Sequence, residues 1–188
     1  MPPKVRVTRE AIVDAAVEIV RRSGAQALNA RTVAAELGCS TQPVFSNFEN
    51  MEMLKLAVVE QADGMCQQYV CKELERGEYP SYKASGMAYI RFAKEEKELF
   101  KLLYMRDRTG EPIPTEMELS GQMESIVQQA SGLDEEQMKL FHLEMWACVH
   151  GIATMFATGF LDIPWELVSD MLTDFYQGIK WRKHHECD

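Results

Sequence analysis

The sequence contains no uninterrupted apolar stretch approaching the roughly 20 residues that a membrane-spanning helix needs. Its opening residues, MPPKVRVTRE, carry no apolar run, so no secretory signal is expected. No segment alternates with period two for long enough to make a strand, which leaves an all-α chain. Internal repeats and low-complexity blocks are also missing. No nucleophile stands with a base and an orienting group, so catalysis is not expected. The five cysteines (Cys39, Cys66, Cys71, Cys148 and Cys187) are odd in number and irregularly spaced. That argues against a disulfide framework and for reduced thiols in a cytoplasmic protein. Cys66 and Cys71 do not form a CxxC pair, so redox sensing has little support. His184, His185 and Cys187 have metal-capable chemistry, but adjacent histidines at a chain end rarely close a metal site, and no metal or cofactor is expected.

Positive charge is scarce as well: 20 Lys and Arg stand against 29 Asp and Glu, for a net charge of −9. Taken alone, that disfavours nucleic acid as a partner. The distribution says otherwise. Residues 1–58 hold seven basic and six acidic residues, and the remainder holds 13 basic and 23 acidic. A slightly basic N-terminal segment on an acidic body suits a DNA-binding head, because attraction to phosphate is local and screened over about 8–10 Å in physiological salt.

What the chain does have is helical periodicity, with 46% hydrophobic residues in 188 to build a core. The stretch Ala27–Phe48, ALNARTVAAELGCSTQPVFSNF, reads as two short helices joined by a tight turn. Leu28, Val33, Ala34 and Leu37 give the first an apolar face, and Asn29 suits its N-cap. Gly38 ends it, Ser40 is the expected cap of the second helix, and Pro43 falls in that helix's first turn. Val44, Phe45 and Phe48 are expected to face inward, and Thr41, Gln42, Ser46 and Asn47 outward. Two helices about a glycine turn form a helix-turn-helix, whose second helix enters a DNA major groove.

Other helices are expected at Arg9–Ser23, Asn50–Leu74, Tyr82–Lys94, Lys97–Met105, Thr115–Ala130, Glu135–Gly159 and Trp165–Lys180, about nine in all. Thr8, Asn50, Ser81 and Asp134 are the expected caps. GEYPS, DRTGEPIP and SGLDEE mark breaks, and WRKHHECD reads as a trailing end. Met1–Val7 reads either as a basic arm, with Lys4 and Arg6 reaching for DNA, or as a solvated terminus.

The segments LNARTVAAELGCS and VFSNFENMEML, following a capped first helix, resemble in order and spacing the three-helix head of TetR/AcrR-family transcriptional regulators. Asn29, Arg31, Gly38, Phe48 and Leu54 stand at family positions. Farther on, ELFKLLYM and WACVHGIATM are similar to the branch named for a Trp-His-Gly segment, with Trp146, His150 and Gly151 at those positions. The resemblance spans essentially the whole chain. It implies a DNA-binding head in 1–50 and a helical ligand-binding and dimerisation domain in 51–188. The implied function is a ligand-responsive regulator: a homodimeric repressor on a near-palindromic double-stranded operator, released by a largely apolar small molecule, with no membrane partner. Three positions depart from the pattern. The family usually has tyrosine where Phe45 stands, lysine where Met51 stands and histidine where Asn47 stands, so some phosphate contacts are reduced. A helical dimer with a worn head, acting as ligand carrier or interaction protein, is the alternative.

Arg31, Thr41, Gln42 and Ser46 are the candidates for base edges, because glutamine pairs with adenine and arginine with guanine. Asn29, Thr32, Asn47 and Lys55 are the candidates for phosphates. The resemblance implies a cavity among Tyr89, Phe92, Phe100, Tyr104, Met123, Trp146, His150 and Met155, although each alone reads equally well as core. The twelve methionines suit an adaptable pocket or ordinary gap-filling. Trp165, Val168, Leu172 and Phe175 make the last helix apolar over a wide face, a candidate dimer interface or intramolecular packing.

Overall fold

The computed structural model describes residues 7–106 and 121–185. Among these, nine α-helices and one 3-10 turn (Ala25–Ala27) account for all regular structure, with no strand. The helices are α1 (Arg9–Ser23), α2 (Ala30–Glu36), α3 (Gln42–Asn47), α4 (Met51–Arg76), α5 (Ser81–Glu95), α6 (Lys97–Tyr104), α7 (Gly121–Ser131), α8 (Glu135–Thr158) and α9 (Trp165–His185). The all-α expectation holds. Lys4 and Arg6 of the expected arm, the DRTGEPIP loop from Asp107 onward, the expected helix start at Thr115, and Cys187 lie outside the described residues. Two compact units result: residues 7–67 with 96–106, and residues 68–95 with 121–185.

In the first unit, Thr8 Oγ1 accepts from Ala11 N–H at 3.2 Å and opens α1. Ile12, Ala16, Ile19 and Val20 are buried along α1, and Val33, Ala34, Val44, Phe48 and Leu54 close over them. α6 joins this core through Leu99, Phe100 and Leu103. Arg21 fastens it from above, its Nε 2.8 Å from Glu96 Oε2. The Arg9 guanidinium lies over the Phe48 ring, 4.8 Å from its centroid.

The turn after α2 is a Schellman motif. Cys39 N–H bonds Ala34 C=O at 2.9 Å and Gly38 N–H bonds Ala35 C=O at 3.2 Å. Gly38 carries it at φ +63°, where a Cβ would clash with its own backbone. Two local expectations are corrected. The residue before α3 is Thr41, not Ser40; its backbone is already helical and no side chain caps the helix. Phe45 is 52% exposed, because Val44 and Phe48 already fill the inward side of this short helix.

In the second unit α8 packs against α5, α7 and α9. Asp134 caps it, accepting from Gln137 N–H at 2.9 Å. Among the described helices α8 alone has the length and apolar content of a membrane span. Phe141, Met145, Val149, Ile152 and Phe156 account for that content, and all are buried against neighbouring helices. Phe141 and Met145 form a core cluster with Val127, Leu133 and Met138, against which Phe175 and Tyr176 pack. α9 continues to His185, beyond the expected end at Lys180. Arg182, Lys183, His184 and His185 occupy its last turn, where positive charge complements the helix dipole.

Candidate functional site

The second unit holds a partly open cavity of about 660 Å³, within the size range of small-molecule sites. Four helices wall it, each with a stripe at helical spacing. From α5 come Tyr82, Ser85, Gly86 and Tyr89; from α8, His142, Met145, Trp146 and Val149; from α9, Leu172, Thr173, Tyr176, Gln177 and Lys180; from α7, Met123, Ile126, Gln129 and Ala130. Val70 of α4, Pro80, Ser81 and Lys83 complete the lining. Gly86 lets α5 lie close to its neighbours, since a Cβ there would stand 3.3 Å from Leu172 Cδ1 and Val149 Cγ2.

The polar groups in the wall are held by one another. Tyr82 Oη lies 3.0 Å from His142 Nδ1. Burial pushes the Tyr82 phenol well above its ordinary range and the His142 imidazole below its own, each favouring the neutral form. Tyr176 donates to Ala130 C=O at 2.7 Å, and Lys180 Nζ donates to the same carbonyl at 2.7 Å and to Tyr176 Oη at 3.0 Å. Lys83 Nζ donates to Thr173 Oγ1 at 2.8 Å.

Of the expected pocket residues, Tyr89, Met123 and Trp146 line the cavity. His150 stands behind them, stacked on Trp146 at 4.7 Å between centroids, with Nδ1 3.0 Å from Tyr89 Oη. Phe92 is not on the wall. It is fully buried in the second unit, edge-on to Tyr69 at 5.4 Å. Phe100 and Tyr104 belong to the first unit, 5.0 Å apart, where Tyr104 Oη reaches Cys66 Sγ at 3.8 Å. Met155 is half-buried on α8 and is not a wall residue. Tyr82, His142, Tyr176, Lys83 and Lys180 were not singled out from the sequence. The seven-residue spacing of Tyr82 and Tyr89 was the available signal, since it puts two phenols on one face of α5.

The face expected to dimerise is partly spent inside the chain. Val168 and Leu172 are buried within a single copy, and Leu172 lines the cavity. Phe175 packs on the core cluster, and Trp165 lies under the Arg91 guanidinium at 4.5 Å. The exposed apolar residues of these helices are others: Leu140 and Leu143 on α8, and Leu167 and Trp181 on α9.

At the helix-turn-helix, Gln42 and Arg31 are exposed and Thr41 is half-buried. Ser46 donates to Gln42 C=O at 2.9 Å and Asn47 to Pro43 C=O at 2.8 Å, so both side chains are bonded within α3. Asn29 Oδ1 accepts from Arg31 and Thr32 N–H at 3.0 and 3.1 Å. Thr32 Oγ1 in return accepts from Asn29 N–H at 3.1 Å, a capping box worth about 1 kcal/mol to the helix. Lys55 pairs with Glu52 at 2.8 Å, both exposed. Burial pushes the Cys66 thiol up to about 11 against the opposing hydrogen bond from Tyr104, which makes it a poor nucleophile.

A family model described as "Tetracyclin repressor-like, C-terminal domain" matches residues 82–175, half of the chain. The chain belongs to this TetR-like family. Among curated proteins nothing matches it. Solved structures share its fold. A protein of unknown function from Rhodococcus sp. RHA1 aligns with a TM-score of 0.70 at 22% identity, over 96% of this chain and 97% of that one. A TetR-like transcriptional regulator from the same organism aligns with a TM-score of 0.61 at 14% identity, over 97% of each chain. The multidrug binding protein EbrR, solved with imidazole, aligns with a TM-score of 0.57 at 18% identity, over 89% of this chain and 88% of that one.

Proposed function

We propose that this chain is a ligand-responsive transcriptional repressor that binds a near-palindromic operator as a homodimer and lets go when a small molecule fills its cavity. The observation that carries the reading is the cavity of about 660 Å³ in a chain whose N-terminal helices leave Gln42 outward beyond the Gly38 turn. EbrR, with the same fold, binds small molecules in its solved structures. Residues 1–50 would bind DNA and 51–188 the effector and the second copy. Gln42 and Arg31 are the foremost base readers, with Thr41 and Ser46 beside them. Asn47 and Lys55 would turn to phosphate by exchanging their present bonds, and Asn29 and Thr32 chiefly shape α2. Trp146, His150 and Gly151 support placement in the Trp-His-Gly branch. The protein binds without turning its ligand over, and acts in the cytoplasm.

A head with one reading helix needs a second copy to reach successive major grooves about 34–36 Å apart. The exposed Leu140, Leu143, Leu167 and Trp181 are the apolar surface for that pairing. α4 begins at Met51 directly after the head and contributes Val70 to the cavity wall, so it would carry the ligand's effect. The switch requires a ligand that prefers one conformation over the other.

The test is a gel shift with the DNA upstream of the protein's own gene at low salt. A sequence-selective shift is expected, and Gln42→Ala should lose about 1–3 kcal/mol of selectivity at the base it reads. The exposed Phe45, which has no hydroxyl, and the internally bonded Ser46 and Asn47 favour the worn-head alternative. No selective shift, with Gln42→Ala silent, would establish that alternative.

A further inference from the structure

We propose that the cavity takes an amphipathic organic anion, its apolar body against Met145, Trp146, Val149 and Leu172 and its charged head at the Lys83 ammonium. The inference rests on reading the cavity as the effector site. Its first support is the charge inventory of the wall. Among the described residues lining the cavity there are two ammonium groups, Lys83 and Lys180, and no Asp or Glu. This inverts the sign of the chain around it, where acidic residues outnumber basic ones.

The second support is how the two lysines are bonded. Of the other described lysines, Lys55, Lys94, Lys101, Lys139 and Lys183 each have a carboxylate within 4.0 Å, and Lys72 and Lys97, which have none, are exposed to water. Among the described residues neither Lys83 nor Lys180 has one. Lys180 is nonetheless occupied. It donates to Ala130 C=O and Tyr176 Oη, closing the C-terminal turn of α7. Lys83 is less satisfied. It is half-buried and gives one hydrogen bond, to Thr173 Oγ1, with the Tyr79 ring 5.2 Å away. An ammonium has three donors, so two remain for a ligand.

An anion entering beside a half-buried ammonium that has no carboxylate partner among the described residues gains a charge-assisted bond. Lys180 stands seven residues beyond Thr173 on α9, roughly 10 Å along the axis. Its field adds to that of Lys83 inside a wall of low polarity. A cationic ligand meets the opposite situation: two like charges and, among the described lining residues, no carboxylate to offset its lost hydration.

The experiment is calorimetric titration of the full chain at neutral pH with three probes that share one tail: decanoate, 1-decanol and decylammonium. Decanoate should bind about tenfold more tightly than decanol, the worth of one charge-assisted hydrogen bond, and decylammonium most weakly. Lys83→Met should abolish the preference for decanoate over decanol and leave the melting temperature close to the parent's; Lys83→Arg should keep the preference. Equal or tighter binding of decanol or decylammonium overturns the anion assignment and leaves the effector cavity standing. Failure of all three to bind overturns both.

Discussion

The Tyr89 hydroxyl lies 3.0 Å from His150 Nδ1, and seven residues earlier on α5 the Tyr82 hydroxyl lies 3.0 Å from His142 Nδ1. α5 and α8 are thus joined by two polar pairs, one on the cavity wall and one reaching behind it. Burial lowers both histidines from 6.5. The fold therefore holds them neutral at pH values where the unfolded chain takes up protons. Stability should fall as pH drops from about 7, and level off with respect to these groups once the folded-state histidines protonate too. Urea unfolding between pH 8 and pH 5 measures this, and His142→Asn should flatten the dependence in that window.

Gly38→Ala places a Cβ at φ +63° with no neighbour within 4 Å, so the whole effect is backbone strain. A loss of about 1 kcal/mol is expected in thermal or urea unfolding. No loss would mean that the turn relaxes out of the left-handed region.

Glu73 is 2% exposed and takes Arg76 at 2.9 Å and Arg91 at 3.3 Å, while Arg91 also lies over Trp165. Glu73→Ala takes away the buried partner of Arg91, leaving it the exposed Glu95 at 4.0 Å, and should cost about 3 kcal/mol of unfolding free energy. Arg76 is largely exposed, and Arg76→Ala should cost less than about 1 kcal/mol.

On the proposed pairing surface Leu143→Glu and Trp181→Glu alter exposed residues, so they should leave the fold's stability nearly unchanged and, if that surface forms the proposed dimer, shift sedimentation toward the monomer. Leu172→Ala should do the reverse. Its side chain is buried within one copy, and about 2–5 kcal/mol of stability should be lost while dimerisation persists. Analytical ultracentrifugation beside urea unfolding separates the two classes.

The helices were legible where a cap and an apolar stripe coincide. Thr8, Asn29 and Asp134 accept the hydrogen bonds expected of them, and Asn50 Oδ1 accepts from Met53 N–H at 3.0 Å. Ser40 failed as a cap because Thr41 follows it in helical backbone, a choice made by the geometry of the Gly38 turn. The cavity was only partly legible. A sequence shows that Tyr89, Phe92 and Phe100 are aromatic residues on apolar helix faces, but not which of them meets a neighbour and which meets a void. That depends on what lies opposite. Tyr69 stands against Phe92, whereas Tyr89 meets open space over Gly86 and Trp146. The lysines were missed because a lysine in an acidic chain reads as surface until its surroundings are known.

Gly86 sets the bore of the chamber. A Cβ there would come within 3.3 Å of both Leu172 Cδ1 and Val149 Cγ2. Alanine at this position would nudge two methyls, and anything larger would project into the chamber or spread α5 from α8. One hydrogen atom in place of a side chain is therefore a size gauge, and exchanging it is a simple route to a relative whose chamber has another shape.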